Sequence, residues 1–297
     1  MRHPLTRLQT LALTALAPVI WGTTYLVTSE MLPEGYPLTI AMLRALPAGL
    51  LLLLVVRKLP PREKLVDIFI LGGLNFAAFW TFLFIAAYRL PGGVAATMGA
   101  TQALLVIFIA RAVLATPVRR DALLAGMLGV AGVALVALTA AARLDMIGIG
   151  AALAGAASMA AGTVYSRKLR GDTPLLTFTA WQLAAGGLLL LPAALVFEPG
   201  LPAMDATSLA GLAWLGLIGA ALTYVLWFRG VQKIDPAAVS VLGFLSPLTA
   251  VLLGWLVLGQ DLTALQTAGA LLVVASILFA QFNPIRKRRR APARNRL

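Results

Sequence analysis

Apolar stretches of about 20 residues, the length an α-helix needs to cross roughly 30 Å of hydrocarbon, recur ten times along this chain of 297 residues. They fall near 9–30, 36–57, 65–88, 92–114, 121–141, 146–168, 174–197, 207–230, 236–258 and 262–283, and are numbered spans 1 to 10 in that order. The spacers between them are too short to hold a soluble domain. The long two-residue alternation of a membrane barrel is absent, so the spans read as helices, which satisfy their backbone hydrogen bonds internally. A chain that is 60% hydrophobic and 12% charged, with a mean hydropathy of +0.91, has more apolar surface than a soluble domain can hide. The first stretch is read as a retained span and not as a cleaved signal peptide, because it is too long and carries a motif that returns later in the chain.

That motif is one of several repeated between the halves. Trp21-Gly22-Thr23-Thr24-Tyr25 returns as Ala161-Gly162-Thr163-Val164-Tyr165. Leu46 and Ala48-Gly49, leading into Leu51–Leu54, return as Leu183 and Ala185-Gly186, leading into Leu188–Leu191. Pro91-Gly92-Gly93-Val94 returns as Pro236-Ala237-Ala238-Val239. Each copy holds five spans, and an odd number of spans inserts the second copy upside down. The expectation is an all-α membrane protein of ten transmembrane helices in two inverted five-helix repeats, a plan that places a binding site near the midplane. The repeats are expected at 1–141 and 142–283, followed by a basic cytoplasmic tail at 284–297.

Basic residues set the orientation. Of the 24 Lys and Arg residues, all except Arg44, Arg89 and Arg143 fall at the two ends of the chain, in the even-numbered gaps between spans or in the last turn of the span that leads into such a gap. The positive-inside rule then places both termini in the cytoplasm. The net charge of +13 is read as this topology signal and not as a nucleic-acid footprint. The tail is expected to anchor at the anionic inner leaflet, so membrane lipids are partners.

Trp21-Gly22-Thr23 in span 1, Arg44 in span 2 and Ser246-Pro247-Leu248 in span 9, on a 5+5 repeat, resemble the EamA-type branch of the drug/metabolite transporter superfamily. The resemblance covers residues 9–283. Leu258-Gly259-Gln260 stands where the family often carries Leu-Gly-Glu, so no acid is available there. The aromatic content is similar to that of the aromatic-amino-acid exporters of the YddG type. The resemblance implies a bacterial inner-membrane carrier that moves a small organic solute by alternating access.

The chemistry-bearing residues agree with transport. There is no cysteine, the single histidine is His3, and all eleven acids lie near span ends. No carboxylate or imidazole stands in mid-span, where proton relays place one. Catalytic carboxylate pairs, metal-ligand clusters and a phosphate-cradling Gly-x-x-x-x-Gly-Lys motif are absent, so neither an enzyme nor a cofactor nor direct ATP drive is expected. Arg44, roughly two turns below the outer surface, reads either as a carboxylate-binding cation or as a structural one that caps carbonyls or reaches Glu30 or Glu34.

An offset of 145, fixed by Pro91/Pro236, pairs Phe79 with Tyr224, Phe82 with Trp227 and Thr101 with Ser246. On a regular helix Asn75, Phe79 and Phe82 share one face, with Trp80 and Phe84 turned elsewhere, toward lipid. Rings flanked by hydroxyls and an amide suit an aromatic solute or, by cation–π contact, an ammonium group; lipid-facing or packing rings are the alternative. The candidate substrate contacts are Trp21, Thr24, Asn75, Phe79, Phe82, Thr101, Gln102, Tyr224, Trp227, Phe244 and Ser246. Tyr25 and Tyr165 suit the interfacial belt equally well, and Gln102 and Gln182 suit interhelical hydrogen bonds. Pro18 and Pro247 are candidate hinges, Pro247 because it removes the helix bond to the Gly243 carbonyl. The Gly126-x-x-Gly129-x-x-Gly132 stripe of span 5 suits close packing or a dimer face, leaving monomer and homodimer both open. The expected function is export of small organic metabolites, aromatic amino acids foremost, without ion coupling. A broader drug or quaternary-ammonium carrier, and a passive channel or lipid scramblase, are the alternatives.

Overall fold

Short caps and breaks convert the apolar runs into separate helices. Thr6 opens span 1 with a reciprocal cap, its hydroxyl accepting from Gln9 N while the Gln9 side chain accepts from Thr6 N. Asp145, Asp205 and Asp235 cap spans 6, 8 and 9 in the same region of their sequences, each accepting from a first-turn amide. The Ser208 amide holds the Asp205 carboxyl below the ordinary carboxylate range. Left-handed residues end three helices: Arg57 at φ 50°, Ala115 at φ 52° and Gly259 at φ 64°. Gly259 is suited to that conformation, while Arg57 and Ala115 adopt it against their Cβ atoms.

The computed structural model describes residues 6–90, 92–137, 145–259 and 263–282. Pro91, Arg143, Gln260, Asp261, His3, the side chain of Tyr25 and the basic tail lie outside the described residues. Among the described residues, nine helical runs are long and apolar enough to cross a membrane: Arg7–Met31, Pro37–Val56, Arg62–Ala86, Ala95–Leu114, Met146–Leu169, Leu175–Phe197, Ala206–Lys233, Pro236–Leu258 and Ala264–Phe282. Arg120–Ala137 forms span 5 between the fourth and fifth of these. The protein is an all-helical, multi-pass membrane bundle.

The inverted repeat is visible in which helices touch. Span 2 packs along span 7, and span 5 along span 10, so each pair joins equivalent helices of the two halves. Small residues make both crossings close. A Cβ added at Gly49 would lie 2.7 Å from Ala184 Cα, and one at Gly187 2.6 Å from Leu46 Cα. At the other crossing, a Cβ on Gly269 would lie 2.7 Å from the Gly132 carbonyl oxygen. The Gly126–Gly132 stripe is therefore used inside the chain. Gly126 meets Leu104, Gly129 meets the Phe244 ring and Gly132 meets Val273.

The remaining helices are exchanged between halves. Span 1 lies against spans 8 and 9, and span 6 against spans 3 and 4. Gly22 of the repeated motif packs on span 9, where an added Cβ would lie 2.7 Å from the Ser246 carbonyl oxygen. Its counterpart Gly162 packs on span 3, where an added Cβ would lie 2.6 Å from Asn75 Cγ.

Spans 3 and 8 are not regular α-helices. Each widens into a π turn, over Gly73–Ala77 in span 3 and Trp214–Leu222 in span 8. The 145-residue offset of the repeat maps 73–77 onto 218–222, inside the second π segment. Spans 4 and 9 are interrupted at related places. Span 4 breaks at Thr101, between Gly92–Ala100 and Gln102–Leu114. Span 9 tightens into a 3₁₀ turn over Leu242–Phe244, immediately before Ser246 and Pro247.

Candidate functional site

Among the described residues, the largest buried cluster draws on spans 1 to 3 and 6 to 9, and its rings gather where spans 1, 3 and 8 meet. Phe76 lies edge-on to Tyr224, with ring centroids 4.5 Å apart, and to Trp80, 5.5 Å apart. Trp21 lies 5.0 Å from Tyr224 and 5.2 Å from Trp227, both tilted. Tyr224 also meets Phe228 at 5.7 Å. Such tilted and edge-on pairs set the negative face of one ring against the positive edge of the next. Tyr224, Trp227, Phe228, Phe76 and Trp80 are all buried, and Trp21 is half-buried.

Arg44 enters this cluster from span 2. Its guanidinium carbon stands 5.0 Å from the centroid of the Trp80 ring, a cation–π contact. One of its terminal nitrogens donates to the Gly219 carbonyl at 2.8 Å. That carbonyl belongs to the π segment of span 8. It also accepts from Trp21 Nε1 at 3.2 Å and from Thr223 Oγ1 at 2.8 Å, and Trp21 Nε1 donates to Thr223 Oγ1 at 2.9 Å. A π turn displaces the backbone from regular α register, and here the carbonyl it presents binds three side chains from three spans.

A second polar group lies beside the π segment of span 3. Asn75 Nδ2 donates to Ser166 Oγ at 3.0 Å and to Gln182 Oε1 at 2.9 Å, joining spans 3, 6 and 7. Ser166 Oγ also donates to Gln182 Oε1 at 3.2 Å. All three residues are fully buried. Near them Gln232 Nε2 donates to the Ser166 carbonyl at 2.9 Å and Arg167 to the Val231 and Ile234 carbonyls, which ties the end of span 6 to the end of span 8.

The structure thus divides the candidate residues. Trp21, Tyr224, Trp227 and Arg44 come together. Asn75 and Gln182 join each other as an interhelical lock. Phe79 packs at the edge of the central cluster, and Phe82 lies on span 6 beside Gly155. Thr101 donates its hydroxyl to the Met98 carbonyl at the break in span 4, with half-buried Gln102 next to it. Phe244 is buried on the opposite side of its helix, against Gly129, Val133 and Val273 of the bracing spans 5 and 10. Ser246 and Pro247 are half-buried at the break in span 9, Thr24 is half-buried in span 1, and Pro18 is buried within span 1.

Trp80 overturns the expectation that it faces lipid. It is 4% exposed and lies under Arg44. The cause is the π turn just before it, which rotates the residues that follow relative to a regular helix. Phe76, Thr223 and Ser166 were also missed. Phe76 stands in the same π segment. The two hydroxyls have a sequence signal only when read with the amides and indoles on neighbouring spans.

Two helical repeats, helices broken at matching places and a cluster of rings drawn from several spans make the scaffold of a multi-pass membrane transporter. The chain belongs to the EamA-like transporter family, whose model matches residues 8–138 and 146–282, one copy in each half. It is 41% identical over 267 residues to Protein PecM of Dickeya dadantii (strain 3937), covering 89% of this chain and 90% of that one. It is 27% identical over 284 residues to a probable amino-acid metabolite efflux pump of Salmonella typhimurium, covering 91% and 94%. It is 26% identical over 267 residues to the inner membrane transporter YedA of Escherichia coli (strain K12), covering 88% and 86%. Among solved structures, one described only as a crystal structure of a protein superposes with a TM-score of 0.80 at 20% identity. It covers 92% of this chain and 98% of that one, a likeness of fold.

Proposed function

We propose that this transporter exports small organic metabolites, aromatic amino acids foremost, by alternating access and facilitated diffusion. The observation that carries the reading is Arg44 within a ring cluster built from both repeats, with Trp21, Phe76 and Trp80 from one half and Tyr224 and Trp227 from the other. The rings suit a flat apolar group and the guanidinium suits a carboxylate. Because the cluster is shared by the two repeats, rocking of one against the other remakes it at each exchange. A relative bearing the name of an amino-acid metabolite efflux pump supports the same class. A second reading, an organic-cation carrier, is favoured by one contact: the Trp80 face already holds a guanidinium.

Counterflow in proteoliposomes with a panel of amino acids and organic cations separates the two. The expected result is exchange of phenylalanine or tryptophan that saturates and is competed by other aromatic amino acids. Preference for the cations would support the second reading, and linear, uncompeted flux would support a channel. With equal substrate on both sides, an imposed pH or sodium gradient is expected to drive no accumulation, since no acid or histidine stands mid-span to relay a proton. Ionophore-sensitive accumulation would overturn facilitated diffusion.

Both termini are placed in the cytoplasm in this reading, with the Asp172 loop inside and the Glu198–Asp205 loop outside. A membrane-impermeant thiol reagent on intact cells is expected to label Asp205→Cys and to leave Asp172→Cys unlabelled, against a native background of zero cysteines. The reverse pattern would invert the topology.

A further inference from the structure

We infer that the indole N–H of Trp227 joins the Arg44 guanidinium in receiving the carboxylate of the transported solute, an assignment that rests on the carrier reading of the ring cluster. Trp227 is 1% exposed, and its Nε1 meets no acceptor among the described residues. Its neighbour Trp21, 5.2 Å away, is in the opposite state, with its N–H shared between Thr223 Oγ1 and the Gly219 carbonyl.

Two of the other buried polar atoms without a partner among the described residues differ in kind. Thr163 Oγ1 belongs to a hydroxyl that turns freely about its own bond, and Asn75 Oδ1 belongs to an amide whose nitrogen is already held twice. An indole N–H is fixed by its ring and only donates. An acceptor must come to it, and burying it without one is unfavourable. The repeat offset places Phe82, a ring without an N–H, at the position related to Trp227, so the N–H is not a feature that both halves share. A phenyl ring in the same place would leave no polar atom over, at the cost of a small void where the larger indole stood.

The cluster also selects the sign of the acceptor. Trp227 touches Trp21, and the Trp21 N–H shares the Gly219 carbonyl with the Arg44 guanidinium. In a low-dielectric interior that fixed positive charge favours an anionic acceptor over a neutral one. The ligand class is a carboxylate joined to a flat apolar group.

Trp227→Phe, reconstituted in liposomes, tests this with phenylalanine and phenethylamine, which differ in the carboxylate, as competing probes in counterflow. The variant is expected to bind phenylalanine about two- to tenfold more weakly, the loss of one hydrogen bond, with phenethylamine unchanged. In detergent it is expected to melt close to the parent, the void left by the smaller ring being offset by removal of an unpaired buried donor. A variant with an unaltered ratio of the two half-saturation values overturns the assignment. So does a variant that melts several degrees lower and loses both probes together, because the N–H is then part of the scaffold. Exchange of neither probe by the parent protein overturns the substrate reading itself, and this assignment with it.

Discussion

Gly49→Leu is expected to leave little folded protein in the membrane. Gly49 lies on the seam where span 2 crosses span 7, and the space a side chain would need is taken by backbone. An added Cβ would lie 2.7 Å from Ala184 Cα and 2.8 Å from the Leu183 carbonyl carbon. Backbone has no rotamer to move aside, so the two helices must separate. The opposing side is equally close, with Gly187 against Leu46, and the strain has nowhere to relax along the seam. Inserting methylenes into a packed core destabilises by about 1–3 kcal/mol, and more where backbone must shift. A leucine forced between two backbones belongs at or above the top of that range. Gly150→Leu is the control, since a Cβ there meets nothing within 4 Å. Detergent-solubilised yield and melting temperature are the readouts. A Gly49→Leu protein with the yield and melting point of Gly150→Leu would show that spans 2 and 7 do not meet as closely as this.

The spans and the two-fold repeat were legible because both rest on long averages. Twenty apolar residues bounded by Asp, Pro or Gly define a helix whatever its neighbours are, and paired motifs such as Gly49 and Gly186 survive at fixed offsets. The exchange of spans 1 and 6 between the halves was less visible, because helices that are apolar on all sides do not declare which face meets protein. The ring site was half legible. The 145-residue offset singled out Tyr224 and Trp227, and Arg44 drew attention as a charge within a span. The face of span 3 was misread. A period of 3.6 places Asn75, Phe79 and Phe82 together, yet the Gly73–Ala77 π turn sends Asn75 to Ser166 and Gln182 and brings Phe76 and Trp80 inward. A π turn leaves no mark in composition where every flanking residue is apolar. Phe244 shows the same limit on span 9: one turn of 3₁₀ geometry before Pro247 and a gap at Gly129 decide that its ring faces the braces.

Arg44→Met is expected to lower exchange of phenylalanine more than tenfold while the protein still folds. The side chain is 8% exposed, so its removal is felt in the core. The losses include the cation–π contact with Trp80, about 0.5–2 kcal/mol, and the charge-assisted bond to the Gly219 carbonyl, about 1.5–3 kcal/mol. The carbonyl is not orphaned, because Trp21 Nε1 and Thr223 Oγ1 still donate to it. Methionine replaces much of the apolar stem and its sulfur suits an aromatic neighbour. The net loss of stability is therefore held below the sum of the two, at about 1–3 kcal/mol, and shows as a lower melting temperature with usable yield. Arg44→Lys keeps the charge but not the flat group that stacks on Trp80. Its phenylalanine exchange is expected between those of the parent and Arg44→Met. Phenethylamine decides what Arg44 does. If the guanidinium meets a carboxylate on the cargo, phenylalanine exchange falls far more than phenethylamine exchange in Arg44→Met, and Arg44→Lys recovers part of the difference. If both probes fall in parallel and follow the melting temperature, Arg44 holds the π segment of span 8 in place and does not touch the cargo. The guanidinium stands over one ring of the cluster and bonds a carbonyl that also anchors Trp21, so part of the loss follows the melting temperature, and the carrier reading expects a further loss confined to phenylalanine.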